Sequence, residues 1–229
     1  MAEVELLPVL PKIIANEDIS DAAATLQRYF DASSPKEYYT GGFFERLDGG
    51  GDRPGVRNTF TGADIVAVSM LSVDIPPRAV KAVLGMERDL STLLSEIPWD
   101  TDLVNGGHHI GPSSSAWAAW ERLTEVEGIA WVTANKLLAR KRPRLLPVYD
   151  RVVRDEVGRP TSFWASLHAS LAAENSALHG KLLAIREKAG VGDDISAIRV
   201  FDAVTWLSAQ DRVQKRNAPA KDEVPPDRP

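Results

Sequence analysis

The chain has 229 residues, 44% of them hydrophobic, and a formal net charge of −5. That is enough apolar material for a core, while the acidic balance argues against a protein that coats nucleic acid non-specifically, which needs a positive field. The sequence contains no cysteine, which excludes disulfides, thiolate metal sites, iron–sulfur clusters and thiol nucleophiles.

The first residues, MAEVELLPVLPKII, combine acidic side chains with two prolines and do not read as a secretory signal. No window approaches eighteen uncharged apolar residues, so no membrane span is expected and the expected location is cytoplasmic. Residues 1–15 read as an irregular lead-in. Ala22, Leu26, Tyr29 and Phe30 have helical spacing over 18–30. Residues 33–58 hold LDGGGDRPG and are expected to form a long loop. Its aromatics Tyr38, Tyr39, Phe43 and Phe44 should hold part of it against the body. Thr61 and Asp64 have capping-box spacing at the start of a helix. Pro77 suits the first turn of another near 77–88. Leu90, Leu93, Leu94 and Ile97 mark an amphipathic stretch over 89–97.

The serines at 113–115 can cap a helix carrying Trp117, Trp120 and Leu123. Further helical patterns cover about 162–174, 176–189 and 195–208. Residues 209–229 hold four prolines and few large apolar groups and read as a disordered tail. No stretch alternates at period two, and no long repeat is present. The expected fold is all-α, with eight or more helices in a single helical domain over 1–208. A hairpin occupies 115–141 and a further helix 150–158.

The segment WERLTEVEGIAWVTANKLLARKRPRLLPVYDRVV, residues 120–153, carries the chemistry. It reads as helix, tight turn at Glu127-Gly128, helix, Pro-bounded link, and an aspartate opening a third helix. A turn feeding a helix N-terminus presents backbone N–H groups to a phosphate. Lys136, Arg140, Lys141, Arg142, Arg144, Arg151 and Arg154 form a basic cluster around it, readable as an electrostatic footprint or as an ordinary solvated face. Asp150 is readable as a helix N-cap or as a catalytic carboxylate. The two uses are compatible, since capping pins the side chain.

This segment resembles the helix–hairpin–helix DNA glycosylases, whose core reads roughly L-P-G-[VI]-G-x-K-T-A-N, then a helix, then P-V-D at the start of another. Thr133-Ala134-Asn135 matches T-A-N, and the interval from Asn135 to Asp150 matches that of the endonuclease III branch. The resemblance covers residues 120–154. The whole chain is also similar to an uncharacterised bacterial family with the same hairpin and a Y-D pair. The superfamily resemblance implies a partner that is nucleic acid, duplex DNA foremost, and no cofactor. It implies phosphate binding by Gly128, Ile129, Ala130, Trp131 and Thr133, backbone contacts from Arg140, Lys141 and Arg142, and a base pocket using Tyr149 and Trp131. Asp150 would stabilise positive charge as an N-glycosidic bond breaks. Three positions depart from the pattern. Ala130 replaces the second hairpin Gly, Glu127 the preceding Pro, and Val132 the lysine that forms a Schiff base in the bifunctional branch. A monofunctional, lysine-independent glycosylase is therefore one expectation. A non-catalytic helical module binding nucleic acid or a protein partner is the other, and an unrelated small-molecule enzyme is a third.

His108-His109 has no third ligand at suitable spacing, so no metal site is expected. LDGGGDRPG lacks the Lys-Ser/Thr of a phosphate-binding loop and the spacing of a calcium loop. The tryptophans fall on helical faces and read mostly as core.

Overall fold

The computed structural model describes residues 5–33 and 38–217, and these contain ten α-helices and no strand. In chain order they are α1 (Lys12–Ala15), α2 (Ser20–Phe30), α3 (Gly62–Ser69), α4 (Pro77–Gly85), α5 (Glu87–Glu96), α6 (Ser115–Thr124), α7 (Trp131–Lys141), α8 (Arg151–Glu156), α9 (Phe163–Lys188) and α10 (Ala197–Asn217). The all-α expectation holds. None of these helices is long and apolar enough to cross a membrane.

The local signals act as physical chemistry requires. The Thr61 N–H and hydroxyl both donate to Asp64 Oδ2, at 2.8 and 3.0 Å, starting α3. Pro77 is the first residue of α4, where its missing N–H costs nothing. The Ser114 hydroxyl accepts from the Trp117 N–H and caps α6. From residue 38 to α3 the Gly-rich connection folds as 3-10 turns and bends, with Phe44 buried. α9 is interrupted at Glu174, Asn175 and Ser176, all at positive φ, which divides it close to the expected boundary of 174–176. The last helix differs from expectation. It continues to Asn217 instead of stopping at 208, with Ala209 buried, so 209–217 is not a tail. The remaining tail residues, 218–229, lie outside the described residues.

Two helix groups meet at the centre. α2, α9 and α10 pack on one another, with α1 and α8 against α10, while α6 packs on α5 and on α7, and α7 on α3. α10 and α7 are the central helices. Residues 197–205 of α10 and 133–141 of α7 are buried without a break, so neither has the solvated stripe of a surface helix.

Candidate functional site

The burial of α7 overturns one expectation directly. Arg140, Lys141 and Arg142 are 2%, 0% and 1% exposed and form no outward basic face. The Arg140 guanidinium donates to the carbonyls of Phe44, Glu45 and Leu47, and its Nε lies 3.3 Å from Asp64 Oδ1. Lys141 Nζ lies 2.6 Å from Asp64 Oδ2 and donates to the carbonyls of Gly51 and Val56. Arg142 donates to the carbonyls of Ile97, Arg57, Lys141 and Leu94 and to Asn58 Oδ1. The three cations donate to the irregular backbone of 44–58 and to carbonyls at the C-terminal end of α5, adding to the turn hydrogen bonds at Leu47, Val56 and Leu94. Burial depresses the Arg142 guanidinium to about 10 and also lowers Arg140 and Lys141. Gly51 is the counterpart: an added Cβ would sit 2.4 Å from the Arg140 carbonyl oxygen.

The hairpin is formed by α6, the turn at Gly128 and α7. Gly128 has φ +91, a conformation glycine adopts without strain. The turn rests on α4, with Pro76 and Ala79 closest to Gly128. Ile129 and Thr133 are buried, whereas Gly128 and Ala130 face solvent. Gly128 and Glu127 line a mostly apolar groove with Pro76, Pro77 and Val126. Asp150 lines a different cavity. The structure therefore does not bring Gly128 and Asp150 to one pocket.

Asp150 is the N-cap foreseen for it, and its second oxygen faces a lysine at a cavity. As N-cap of α8 its Oδ1 accepts from the N–H groups of Val152 and Val153, at 3.0 and 3.1 Å. Oδ2 stands 3.6 Å from Lys136 Nζ, and the side chain is 15% exposed where it borders a cavity of about 50 Å³. A volume of that size holds a small group of waters or a compact polar group. Lys136, at 4% exposed, also donates to the Leu71 carbonyl at 2.9 Å. Burial lowers its ammonium, with the Asp150 carboxylate pulling the other way. Lys136 stands four residues, one helical turn, past Val132.

The opposite wall comes from α2 and α10. Arg199 Nε pairs with Glu45 Oε1, its NH1 with Asp202 Oδ1, and its NH2 with the Tyr29 hydroxyl at 2.9 Å. Asp202 Oδ2 accepts the Val148 N–H at 3.1 Å, which fixes the link leading to Asp150. Burial raises Asp202 to about 8 against the pull of Arg199, with Glu45 adding to the rise. Burial raises Glu45 too, and Tyr29 to about 12. For Arg199 burial works downward, and the carboxylates of Asp202 and Glu45 outweigh it, so its guanidinium stays charged. Tyr39, Met70 and Trp206 complete the rim.

Tyr149 and Trp131 come together as expected, with ring centroids 5.4 Å apart, but in a neighbouring cleft of about 280 Å³ and not in the Asp150 cavity. Asn135 and the rings of Trp117, Trp120, Phe163 and Trp164 share that cleft, and Tyr149 stacks on Phe163 at 4.0 Å. Sequence reasoning missed Lys136 as a cavity residue, because it was one of a run of basic residues. It also missed Arg199 and Asp202, whose signal was legible: a charged pair three residues apart inside the apolar run AIRVFDAV.

No curated protein and no solved structure matches the chain. A family model described as a family of unknown function (DUF6308) matches residues 22–209. With that match spanning most of its length, the chain belongs to the DUF6308 family.

Proposed function

We propose that the chain is a helix–hairpin–helix protein that cleaves an N-glycosidic bond in nucleic acid, as a monofunctional DNA glycosylase does, with Asp150 as its working carboxylate. One observation carries the reading: Asp150 has one oxygen fixed by two backbone N–H groups and the other turned to a cavity beside a buried lysine. A carboxylate oriented in advance stabilises the positive charge that develops on the sugar, or accepts the proton of the attacking water. Lys136 positions that carboxylate from 3.6 Å. The aromatic cleft of Trp131 and Tyr149 is the place for a base removed from the stack. Duplexes carrying a panel of modified bases test the reading. Base release by the wild-type chain, reduced about a hundredfold or more by Asp150→Asn, supports it. Asparagine still caps α8, so folding is preserved in the control.

A second reading, a non-catalytic module on the same scaffold, is favoured by the charge distribution. Among the described residues five cations (Lys136, Arg140, Lys141, Arg142, Arg199) and three carboxylates (Asp64, Asp202 and the side chain of Glu45) are buried. The rest of the chain then carries a formal −7 where the whole carries −5. Such a surface suits a basic protein partner better than a polyanion. Absence of base release from every duplex, with partner binding indifferent to Asp150→Asn, selects this second reading.

A further inference from the structure

The aromatic cleft has a polar end, and what that end still has to offer is of one kind. Among the described residues no charged side chain lines the cleft. Asn135 stands in its wall at 5% exposed. The Trp164 indole N–H donates to Asn135 Oδ1 at 3.3 Å. An indole N–H can only donate, so the oxygen is fixed on that side and the amide N–H groups are the end left over. The Trp120 indole N–H is buried without an acceptor, whereas that of Trp117 is spent on Glu121 at 2.8 Å. The buried polar groups of the cleft are therefore donors short of acceptors. Thr161 is exposed and Ser162 half-buried, so their hydroxyls have water as an alternative. At about 280 Å³ the cleft falls just under the roughly 300–1,000 Å³ of small-molecule sites, which leaves room for one ring system.

We propose that this cleft binds one neutral planar heterocycle by stacking, and that Asn135 selects rings bearing a carbonyl acceptor, 6-oxopurines and 4-oxopyrimidines, over their amino counterparts. Use of the cleft as a base site rests on the N-glycosidic reading above. Nothing is asked of Asp150, which follows Tyr149 in the chain and faces the other cavity. The rings supply stacking that every base satisfies, and the amide supplies the choice. A carbonyl oxygen on the ring accepts from the Asn135 amide, whereas an exocyclic amino group set against it leaves two buried donors facing each other. Hypoxanthine, guanine and uracil carry the acceptor at that edge, and adenine and cytosine carry the donor. Aromatic faces also attract cations, but here the Arg154 guanidinium already lies 5.7 Å from the centre of the Trp131 ring. Among the described residues no carboxylate lines the cleft to favour a second positive charge.

Tryptophan fluorescence of the full chain, titrated with inosine, adenosine, uridine and cytidine, tests the assignment. Inosine should bind about tenfold or more tighter than adenosine, and uridine than cytidine by a similar factor. Equal affinities within either pair overturn the role of Asn135, and no binding of any of the four overturns the site. Tetramethylammonium, the probe for a cation cage, should leave bound inosine in place, and displacement of inosine by it overturns the neutral-ring assignment. Asn135→Leu should level inosine with adenosine, and a folded variant that keeps the preference overturns the selection. That change also removes the Trp164 contact, so a readout on the wild type accompanies it: the side-chain amide resonances of Asn135 in nitrogen-15-labelled protein. They should move as inosine is added, and resonances unmoved at saturation place the ligand elsewhere and overturn the assignment. A single-stranded oligonucleotide with one hypoxanthine among adenines should compete better than free inosine. The reverse order supports the ring chemistry with a free small molecule as its source. Selective binding with no base release from any duplex sinks the N-glycosidic reading and leaves the cleft assignment standing, and base release without the selectivity does the opposite.

Discussion

Replacing Arg142 by alanine separates an internal clamp from a nucleic-acid contact. The guanidinium serves four main-chain carbonyls, those of Ile97, Arg57, Lys141 and Leu94, and the amide oxygen of Asn58. A buried acceptor left without a donor costs about 1–3 kcal/mol. Leu94 keeps the Ile97 N–H, so three carbonyls at the lower end of that range give about 3 kcal/mol, and the vacated volume adds to it. Some is returned, because removing a buried cation recovers its desolvation, visible as the depression of Arg142 to about 10. A net loss of about 3–5 kcal/mol is expected, a large share of the 5–15 kcal/mol that holds a typical domain together. Denaturant midpoints measure it, and hydrogen exchange over residues 44–60 and the end of α5 shows where protection is lost. Arg151→Ala, at an exposed position, is the control and should stay within about 0.5 kcal/mol. An Arg142→Ala protein of wild-type stability with weakened duplex binding would refute the clamp and restore the surface reading.

Asp150→Ala should cost about 1–2 kcal/mol through loss of the α8 cap and leave buried Lys136 without its nearest carboxylate. Adding Lys136→Met should recover part of that loss in a double-mutant cycle, and additive effects would show that the two are not coupled. Asp202 also has a signature in stability. Its folded value of about 8 lies above the ordinary unfolded value of about 3.9. Its contribution is therefore complete below the unfolded value and is lost as pH rises toward the folded one. Denaturant midpoints of wild type and Asp202→Asn should diverge over that window, with the variant falling less. Gly51→Ala should destabilise by about 1–3 kcal/mol, because its methyl meets the Arg140 carbonyl. Gly62→Ala, with open space around it in the first turn of α3, should be neutral or stabilising by up to about 1 kcal/mol. Thermal melts read both, and equal effects would contradict the packing of the loop on α7.

Helix positions were legible because caps and breakers act locally. Thr61 with Asp64, Pro77, Ser114 and Asp150 each mark a boundary where the structure has one. The end of the last helix was not, since polar residues with good helix propensity extend it past 208 by continuing a buried helix. The basic run KLLARKR failed for a different reason. Composition reads consecutive Lys and Arg as solvent-facing, but a loop poor in regular structure presents carbonyls that need donors, and these residues supply them from within. Asp150 could be placed at a helix start because a Pro-bounded link ends at an aspartate, a residue that caps helices. Glu45, Arg199 and Asp202 could not be assembled into a site, since contacts across roughly 150 residues leave no local pattern. The pairing of Tyr149 with Trp131 was correct, whereas the separation of their cleft from the Asp150 cavity depends on which face of α7 each residue occupies.

α3 is tied to α7 at both of its ends. Asp64 in its first turn holds Arg140 and Lys141, and the Leu71 carbonyl just past its last turn receives Lys136. The cavity lies between the Leu71–Lys136 strut and α10, and a guest that needed more room there would have to break that buried hydrogen bond or the contact of Lys136 with Asp150. Selection at such an opening works by exclusion, as a gauge rejects an oversized part. Molecules a ring too large are turned away whatever their chemistry, and those that fit find the acidic and basic groups already in place.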